Sequence, residues 1–384
     1  MLDPQQPAVR GVAAAGSDRT ATPALRYALP AEATLRPALP AQPMPRPALP
    51  QVPAAQRASL PPEMRGLRRD HVRLLVADRA RRTLEHTRFD RIGDHLRRHD
   101  LLVVNTSRTV AAALPARREE GTRIQVRPCV RRPGGWDVLA VEPEAPFANV
   151  ELRAGERLAL GDGRLTAVVG GRRPDIPLLW RLQVDGDGLE AMAATGDPIR
   201  YSYVPRPIPL DYYQTVYAGP PGSAEMASAG RPFSWELLLR LRAGGVRTAE
   251  IVLHTGLSSY QDDAFDLEHH LFEERFEVPD ATAQAIRHAG RVIAVGTTVV
   301  RALESSLDRA GNVVASAGWT DLRITPKHRV RAVDALLTGM HEPMASHFDL
   351  LEAFLDRELL ERAYREALDR GYLWHEFGDA MLIL

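Results

Sequence analysis

Cysteine is almost absent from this chain. Cys129 is the only one in 384 residues, which excludes an intrachain disulfide and any thiolate metal cluster. Lysine is as scarce: of 49 basic residues only Lys327 is not an arginine. An excess of either charge is lacking too. The 49 basic and 49 acidic residues give a formal net charge of zero, so the chain as a whole exerts no pull on nucleic acid. Local basic faces stay open, because arginine pairs recur at Arg68/Arg69, Arg97/Arg98, Arg117/Arg118, Arg131/Arg132 and Arg172/Arg173. The plain reading of such pairs is solvated loop charge. There is no run of 18 apolar residues, so no transmembrane helix is expected. The N-terminal region lacks a basic stretch followed by an apolar core, so no secretory signal is expected and a cytoplasmic protein is. A Walker loop, a G-x-G-x-x-G fingerprint and a nucleophile elbow are all missing. That removes support from a nucleoside triphosphatase, a standard Rossmann dehydrogenase and an α/β-hydrolase.

What is present suffices for two modest domains, with 45% apolar residues. Residues 1–65 stand apart. They are rich in Pro and Ala, with a ten-residue echo beginning at Arg26, Arg36 and Arg46. Proline at that density blocks helix and central strand alike, which predicts an extended or disordered arm. Folded sequence is expected from near Arg69, with strands at 72–76 and 101–104 and a short helix around 92–98. Between 118 and 195 short β-rich runs (124–127, 136–141, 165–169, 178–184) alternate with Gly and Pro turns. That texture predicts a small β-barrel or sandwich. Beyond about Gly196 the pattern is mixed: helices at 235–243 and 280–289, a strand at 249–254, a long helical region at 350–370 and an apolar strand at 380–384. The expected fold class is mixed α/β (α+β). A discontinuous larger domain, 66–117 and 196–384, carries an inserted small β-barrel domain, 118–195.

The most informative stretch is 291–305. An apolar run, 292–295, reads as a buried strand that breaks at Gly296, after which Thr297 and Thr298 open a helical pattern carrying Arg301 and Glu304. A glycine lets backbone approach a ligand closely, and a helix N-terminus presents unpaired N–H groups. His254 follows Ile251-Val252-Leu253 and belongs at a strand end, where a neutral histidine serves as a general base or as a structural hydrogen-bonding group. At helical spacing His269 shares a face with Glu273, and His270 with Glu274. The zinc-protease spacing is missing, so no metal is expected. His341 lies in a loop composition, and Asp379 follows Gly378 directly before the last strand.

Over about 315 residues these features recur in an order that resembles the S-adenosylmethionine:tRNA ribosyltransferase-isomerase family of the queuosine pathway. The residues that carry the resemblance are Arg73-Leu74-Leu75-Val76, Leu102-Val103-Val104-Asn105 with Arg108, and Tyr213-Gln214-Thr215-Val216-Tyr217-Ala218. They continue with Leu253-His254-Thr255-Gly256-Leu257, His269 with Glu274, and Ala294-Val295-Gly296-Thr297-Thr298 with Arg301 and Glu304. The series closes with Asp334-Ala335-Leu336-Leu337-Thr338, His341, Pro343 and Gly378-Asp379-Ala380-Met381-Leu382-Ile383. The resemblance implies a small barrel set into a mixed domain. It also implies an enzyme that donates the ribosyl part of S-adenosylmethionine to the aminomethyl group of a 7-deazaguanine at the tRNA wobble position, releasing adenine and methionine. S-Adenosylmethionine is then a co-substrate and tRNA a partner; no metal or membrane is involved, and a monomer is expected.

From that chemistry and the motif positions, His254, Glu274 and His269 are the candidates for proton transfer. Gly296, Thr297, Thr298, Arg301, Glu304 and Asp379 are the candidates for holding S-adenosylmethionine, and Arg108, Gln214 and His341 for lining the acceptor pocket. The sequence also departs from the family pattern. A-P-T-A-G-L-H-F is here Met226-Ala227-Ser228-Ala229-Gly230-Arg231-Pro232-Phe233, the second histidine of H-x-M-H is Phe272, and the aspartate of N-D-T-R is Thr106. These changes leave an alternative open: a diverged relative that cleaves or transfers from S-adenosylmethionine to a small-molecule or other nucleoside acceptor.

Overall fold

The computed structural model describes residues 49–132, 134–257, 272–342 and 346–384. In chain order its strands are β1 (Arg73–Asp78), β2 (Thr83–Arg88), β3 (Asp100–Asn105), β4 (Arg108–Thr109), β5 (Leu114–Arg118), β6 (Arg123–Arg132), β7 (Gly135–Val141), β8 (Arg157–Leu160) and β9 (Leu165–Arg172). They continue with β10 (Trp180–Val184), β11 (Pro221–Ser223), β12 (Arg247–Leu253), β13 (Glu274–Val278), β14 (Arg291–Val295), β15 (Ser316–Thr320), β16 (Ala335–Gly339) and β17 (Ala380–Ile383). The helices are α1 (Leu189–Thr195), α2 (Trp235–Ala243), α3 (Asp280–Arg287), α4 (Thr297–Glu304), α5 (Ser346–Leu351) and α6 (Arg357–Asp369).

Among the described residues the larger part is built on a nine-stranded sheet in the order β15-β13-β12-β3-β14-β16-β17-β1-β2. Its centre, β12-β3-β14-β16, is parallel. These strands read as apolar runs because both of their faces are covered; every residue of β3 and β16 is buried. The strand β17 runs antiparallel to β16 and parallel to β1, while β2, β13 and β15 pair antiparallel at the margins. Between β4 and β11 the chain leaves to form a closed six-stranded barrel, β10-β7-β6-β5-β8-β9. Buried and exposed positions alternate in β8 and β10, which bury only their inward face, whereas β7 is buried along nearly its whole length. The expected mixed α/β class with an inserted barrel is what the chain folds into.

Several details differ from expectation. The barrel starts with Leu114, before position 118, since Leu114 and Ala116 are inward-facing core. Residues 49–65, placed by composition in the arm, carry short 3-10 helices and buried Val52 and Ala58. The Ala58 N–H donates to Trp374 O, and the Gln56 side chain to Leu368 O. The helix expected around 92–98 is a 3-10 helix over Phe89–His95. The single helical region expected at 350–370 is two helices, because the Asp356 carboxylate accepts the Leu359 N–H at 3.1 Å and so caps a new start at α6. Glu274, expected on a helical face with His270, opens β13; His270 lies outside the described residues.

Candidate active site

The parallel strands β3, β12, β14 and β16 end at one edge of the sheet. Because Gly339 is opposite Ala380 and Leu74 is opposite Ala380, the starts of β17 and β1 reach the same edge. The segments after Asn105, Leu253, Val295 and Gly339 are thereby gathered with Asp379 and Arg73. Open α/β sheets bind ligands outside the carboxyl ends of their strands. At the centre, Gly296 adopts φ +101°, a conformation reserved in practice for glycine. It turns β14 into α4, whose first amides have no intrahelical acceptor. Asn105 fixes this corner: its amide nitrogen donates to Leu253 O at 2.9 Å and reaches Thr298 Oγ1 at 3.4 Å, while its oxygen accepts the Leu253 and Ser107 N–H groups at 3.0 Å each.

His254 sits at the end of a hydrogen-bonded chain. The Thr255 N–H donates to Ser223 Oγ at 3.0 Å, Ser223 and Ser107 hydroxyls meet at 2.6 Å, and Ser107 Oγ lies 2.7 Å from His254 Nδ1. If each hydroxyl donates onward, every donor finds an acceptor; this ordering, assigned from the network, leaves the ring proton on Nε2. Gly222 lies flat on the imidazole, since a Cβ there would be 2.3 Å from Nδ1. Burial, reinforced by the Arg131 and Arg275 charges, pulls the His254 pKa down to about 4. The imidazole is therefore neutral across the physiological range, and a weaker base than an ordinary histidine.

Other candidates are tied into the protein. The Glu274 carboxylate accepts the Gly256 N–H at 3.0 Å and pairs with Arg301 Nη1. The other Arg301 nitrogens donate to Leu322 O and Thr320 O. Glu304 accepts the N–H groups of Arg331 and Ala332 at 2.7 Å each, and its second oxygen meets His328 at 2.9 Å. Asp379 clasps the edge, accepting the N–H groups of Arg73 and Leu373 at 2.7 Å each. Burial raises its pKa against the lowering effect of those two bonds. Gln214 makes a two-way bridge to the Thr109 backbone. Arg108 is exposed and donates to Ala218 O. His341 stacks on His347 with centroids 4.1 Å apart, and burial drives its pKa well down. His269 lies outside the described residues. Gly296, Thr298, His254, Asp379 and His341 thus share one edge, whereas Arg301 spends its polar atoms on β13, β15 and Leu322, and Glu304 on the 328–332 segment.

Sequence reasoning passed over a second set. Glu376 lies next to His375, whose ring stacks on Tyr203 at 4.7 Å; Tyr203 in turn stacks on Tyr201 at 6.1 Å, and the Tyr201 hydroxyl bonds Glu225. Burial, with the Glu225 carboxylate nearby, pushes the Glu376 carboxyl up to about 8, so it holds its proton at neutral pH. Arg127 on β6 is buried against Phe147, whose ring centre is 4.5 Å from its guanidinium carbon, and its Nη2 has no hydrogen-bond partner. Ser107, the Ser223–Glu225 pair and Glu376 lie far apart in sequence; only the proximity of Glu376 to Asp379 offered a signal.

Of the positions that depart from the family pattern, Thr106 donates its hydroxyl to Ile251 O at 3.1 Å and Phe272 joins the barrel core. Pro232, which stands where the family pattern has a histidine, is buried and has no side-chain polar atom; its neighbour Arg231 pairs with Glu63 at 2.8 Å.

A mixed sheet with an inserted closed barrel brings the Gly296 corner and the neutral His254 to its carboxyl edge, the place where α/β enzymes hold small ligands. A family model described as "Queuosine biosynthesis protein" matches residues 49–383, and the chain belongs to that family. It is 39% identical over 369 residues to the S-adenosylmethionine:tRNA ribosyltransferase-isomerase of Sorangium cellulosum, covering 86% of this chain and 96% of that protein. Proteins of the same name from Thermotoga maritima and Thermus thermophilus are 36% and 37% identical, each alignment covering 85% of this chain and 97% of the relative. A crystal structure of S-adenosylmethionine tRNA ribosyltransferase from Thermotoga maritima is 30% identical, with 87% of this chain and 98% of that chain covered and a TM-score of 0.49.

Proposed function

We propose that this protein transfers and isomerises the ribosyl part of S-adenosylmethionine onto 7-aminomethyl-7-deazaguanine in tRNA, forming epoxyqueuosine and releasing adenine and methionine in the cytoplasm. The observation that carries this reading is identity of 36–39% to relatives of that name over nearly their whole length. The alternative, a diverged relative with another acceptor, is not what these relatives are named for, although Pro232 stands where the family pattern has a histidine.

The residues at the carboxyl edge are proposed to supply what the chemistry needs. The sulfonium of S-adenosylmethionine acidifies its C5′ protons, so a weak base suffices to begin. The proposed base is His254, neutral and steadied by Ser107 and Ser223. The Gly296 corner, free of any side chain of its own, is the proposed seat of the nucleoside. Adenine leaves more readily when it is protonated or hydrogen-bonded, and Glu376 with its retained proton is the proposed donor. The unpaired Nη2 of Arg127 offers a donor for the methionine carboxylate. Arg301, Glu274, Glu304 and Asp379 are proposed to position these groups through the backbone they hold. His269, Arg108, Gln214 and His341 are proposed to lie toward the acceptor. The barrel is proposed as a separate domain set into the catalytic one.

Nucleoside mass analysis of tRNA carrying the aminomethyl deazaguanine, after incubation with the protein and S-adenosylmethionine, tests the proposal. Conversion of that base to epoxyqueuosine is expected. An unchanged base, with adenine nonetheless released, would select the alternative.

A further inference from the structure

The neutral net charge hides a strongly basic hollow. At the β1–β2 end of the large sheet, an open cavity of about 750 Å³ is lined by Arg73, Arg88, Arg91, Arg370, His86 and Tyr372, among others. The pairing of Arg73 with Arg88 puts both at the start of β1, which is the ligand-bearing edge of the sheet. Arg73 is held in place: its guanidinium carbon is 5.5 Å from the centre of the Tyr372 ring, and one of its nitrogens donates to Arg370 O. Its backbone N–H donates to Asp379, so the hollow adjoins the edge crevice through one residue.

The acids nearby are already committed. Asp90 accepts both donors of the Arg88 fork at 2.7 Å, Glu366 meets His86 at 3.0 Å, and Asp379 accepts two backbone N–H groups. Arg73, Arg91 and Arg370 have no ion-pair partner among the described residues, and Arg91 and Arg370 are exposed. Three guanidinium groups without an ion-pair contact line one open cavity and suit an anion. Their planar forks match phosphate oxygens, and the cavity is too open to enclose a small anion. A chain with no global attraction for nucleic acid must find its phosphate contacts locally.

We propose that this arginine-lined hollow docks the phosphodiester backbone of the RNA substrate, beside the crevice where the base reacts. The inference rests on the function proposed above and adds to it where the RNA strand lies.

The test is fluorescence anisotropy with labelled tRNA whose wobble base is 7-aminomethyl-7-deazaguanine, titrated with full-length protein between about 50 and 200 mM salt. The R91A/R370A double variant is expected to bind at least about tenfold more weakly at the lower salt. Its plot of log affinity against log salt should be shallower by roughly 1.4, from two lost phosphate contacts on a single strand. R91K/R370K should recover most of the affinity, since a point charge still meets a phosphate. Calorimetric binding of S-adenosylmethionine should be equal in all three proteins, which also shows that each is folded. Wild-type affinity and slope in R91A/R370A would overturn the inference and leave the proposed function standing. A wild-type protein that binds S-adenosylmethionine but not this tRNA would overturn the function, and the inference with it.

Discussion

Glu274→Gln isolates one buried charge and leaves the shape of the side chain intact. In the wild type, Glu274 and Arg301 expose only 8% and 10% of their side chains and neutralise each other between β13 and α4. The glutamine carbonyl can still accept the Gly256 N–H, so that bond is kept. What is lost is the countercharge, and removing one partner of a buried pair costs about 3–5 kcal/mol. Leu322 O and Thr320 O continue to accept from Arg301, which places the expected loss at the lower end, about 3 kcal/mol. A domain with about 5–15 kcal/mol of stability survives that. Urea denaturation, followed by tryptophan fluorescence, should show the loss as a lower midpoint at unchanged slope. The R301M variant should be destabilised similarly, and E274Q/R301M should be more stable than either single variant, because neither charge is then left alone. Turnover of E274Q should fall at least tenfold with S-adenosylmethionine still bound, since the uncompensated Arg301 charge shifts α4, whose first residues form the Gly296 corner. A loss below about 0.5 kcal/mol would refute the reasoning.

Other predictions follow from the same geometry. His254→Ala should lower turnover at least tenfold while S-adenosylmethionine still binds, and Ser223→Ala should lower it less, by freeing the tautomer; equal effects would argue against the relay. Glu376 holds its proton up to about pH 8, so turnover should fall as pH rises through that value, and the limb should vanish in E376Q. The same raised pKa means that Glu376 favours folding below its ordinary value of 4.5 and loses that contribution as pH rises toward 8. His254 acts in the opposite direction: its contribution is full above 6.5 and is lost as pH falls toward 4. Melting curves across that range read both slopes. A chain beginning at Pro61 should be less stable by about 3 kcal/mol than one beginning at Leu49, because it lacks buried Val52 and Ala58 and their bonds to the 368–374 segment.

Much of the fold was legible because the signals were local. An apolar run interrupted by Gly296 and two threonines could hardly be anything but a strand, a turn and a helix. The helix expected at 235–243 is α2, and its bounds are set by the Ser234 side chain, which accepts the Leu237 N–H, and by Gly244 at its end. The strand β2 was illegible because Thr83–Arg88 is half-exposed and polar, and only its pairing with β1 makes it a strand. Residues 49–65 carry the proline texture of what precedes them, so their packing on the far end of the chain had no sequence signature. The helical spacing around Glu274 misled because a residue that begins a strand has no helical neighbours. The relay from Ser223 through Ser107 to His254 joins three segments that meet only when β4 pairs with β11, and no motif length could have revealed it.

Diffraction from crystals grown with S-adenosylmethionine tests most directly whether the carboxyl-edge crevice is the reaction site. The expected result is adenosine density against Gly296 and Thr298, with the ribose C5′ facing His254. Density lodged elsewhere, or a corner at Gly296 closed by the protein's own side chains, would contradict it.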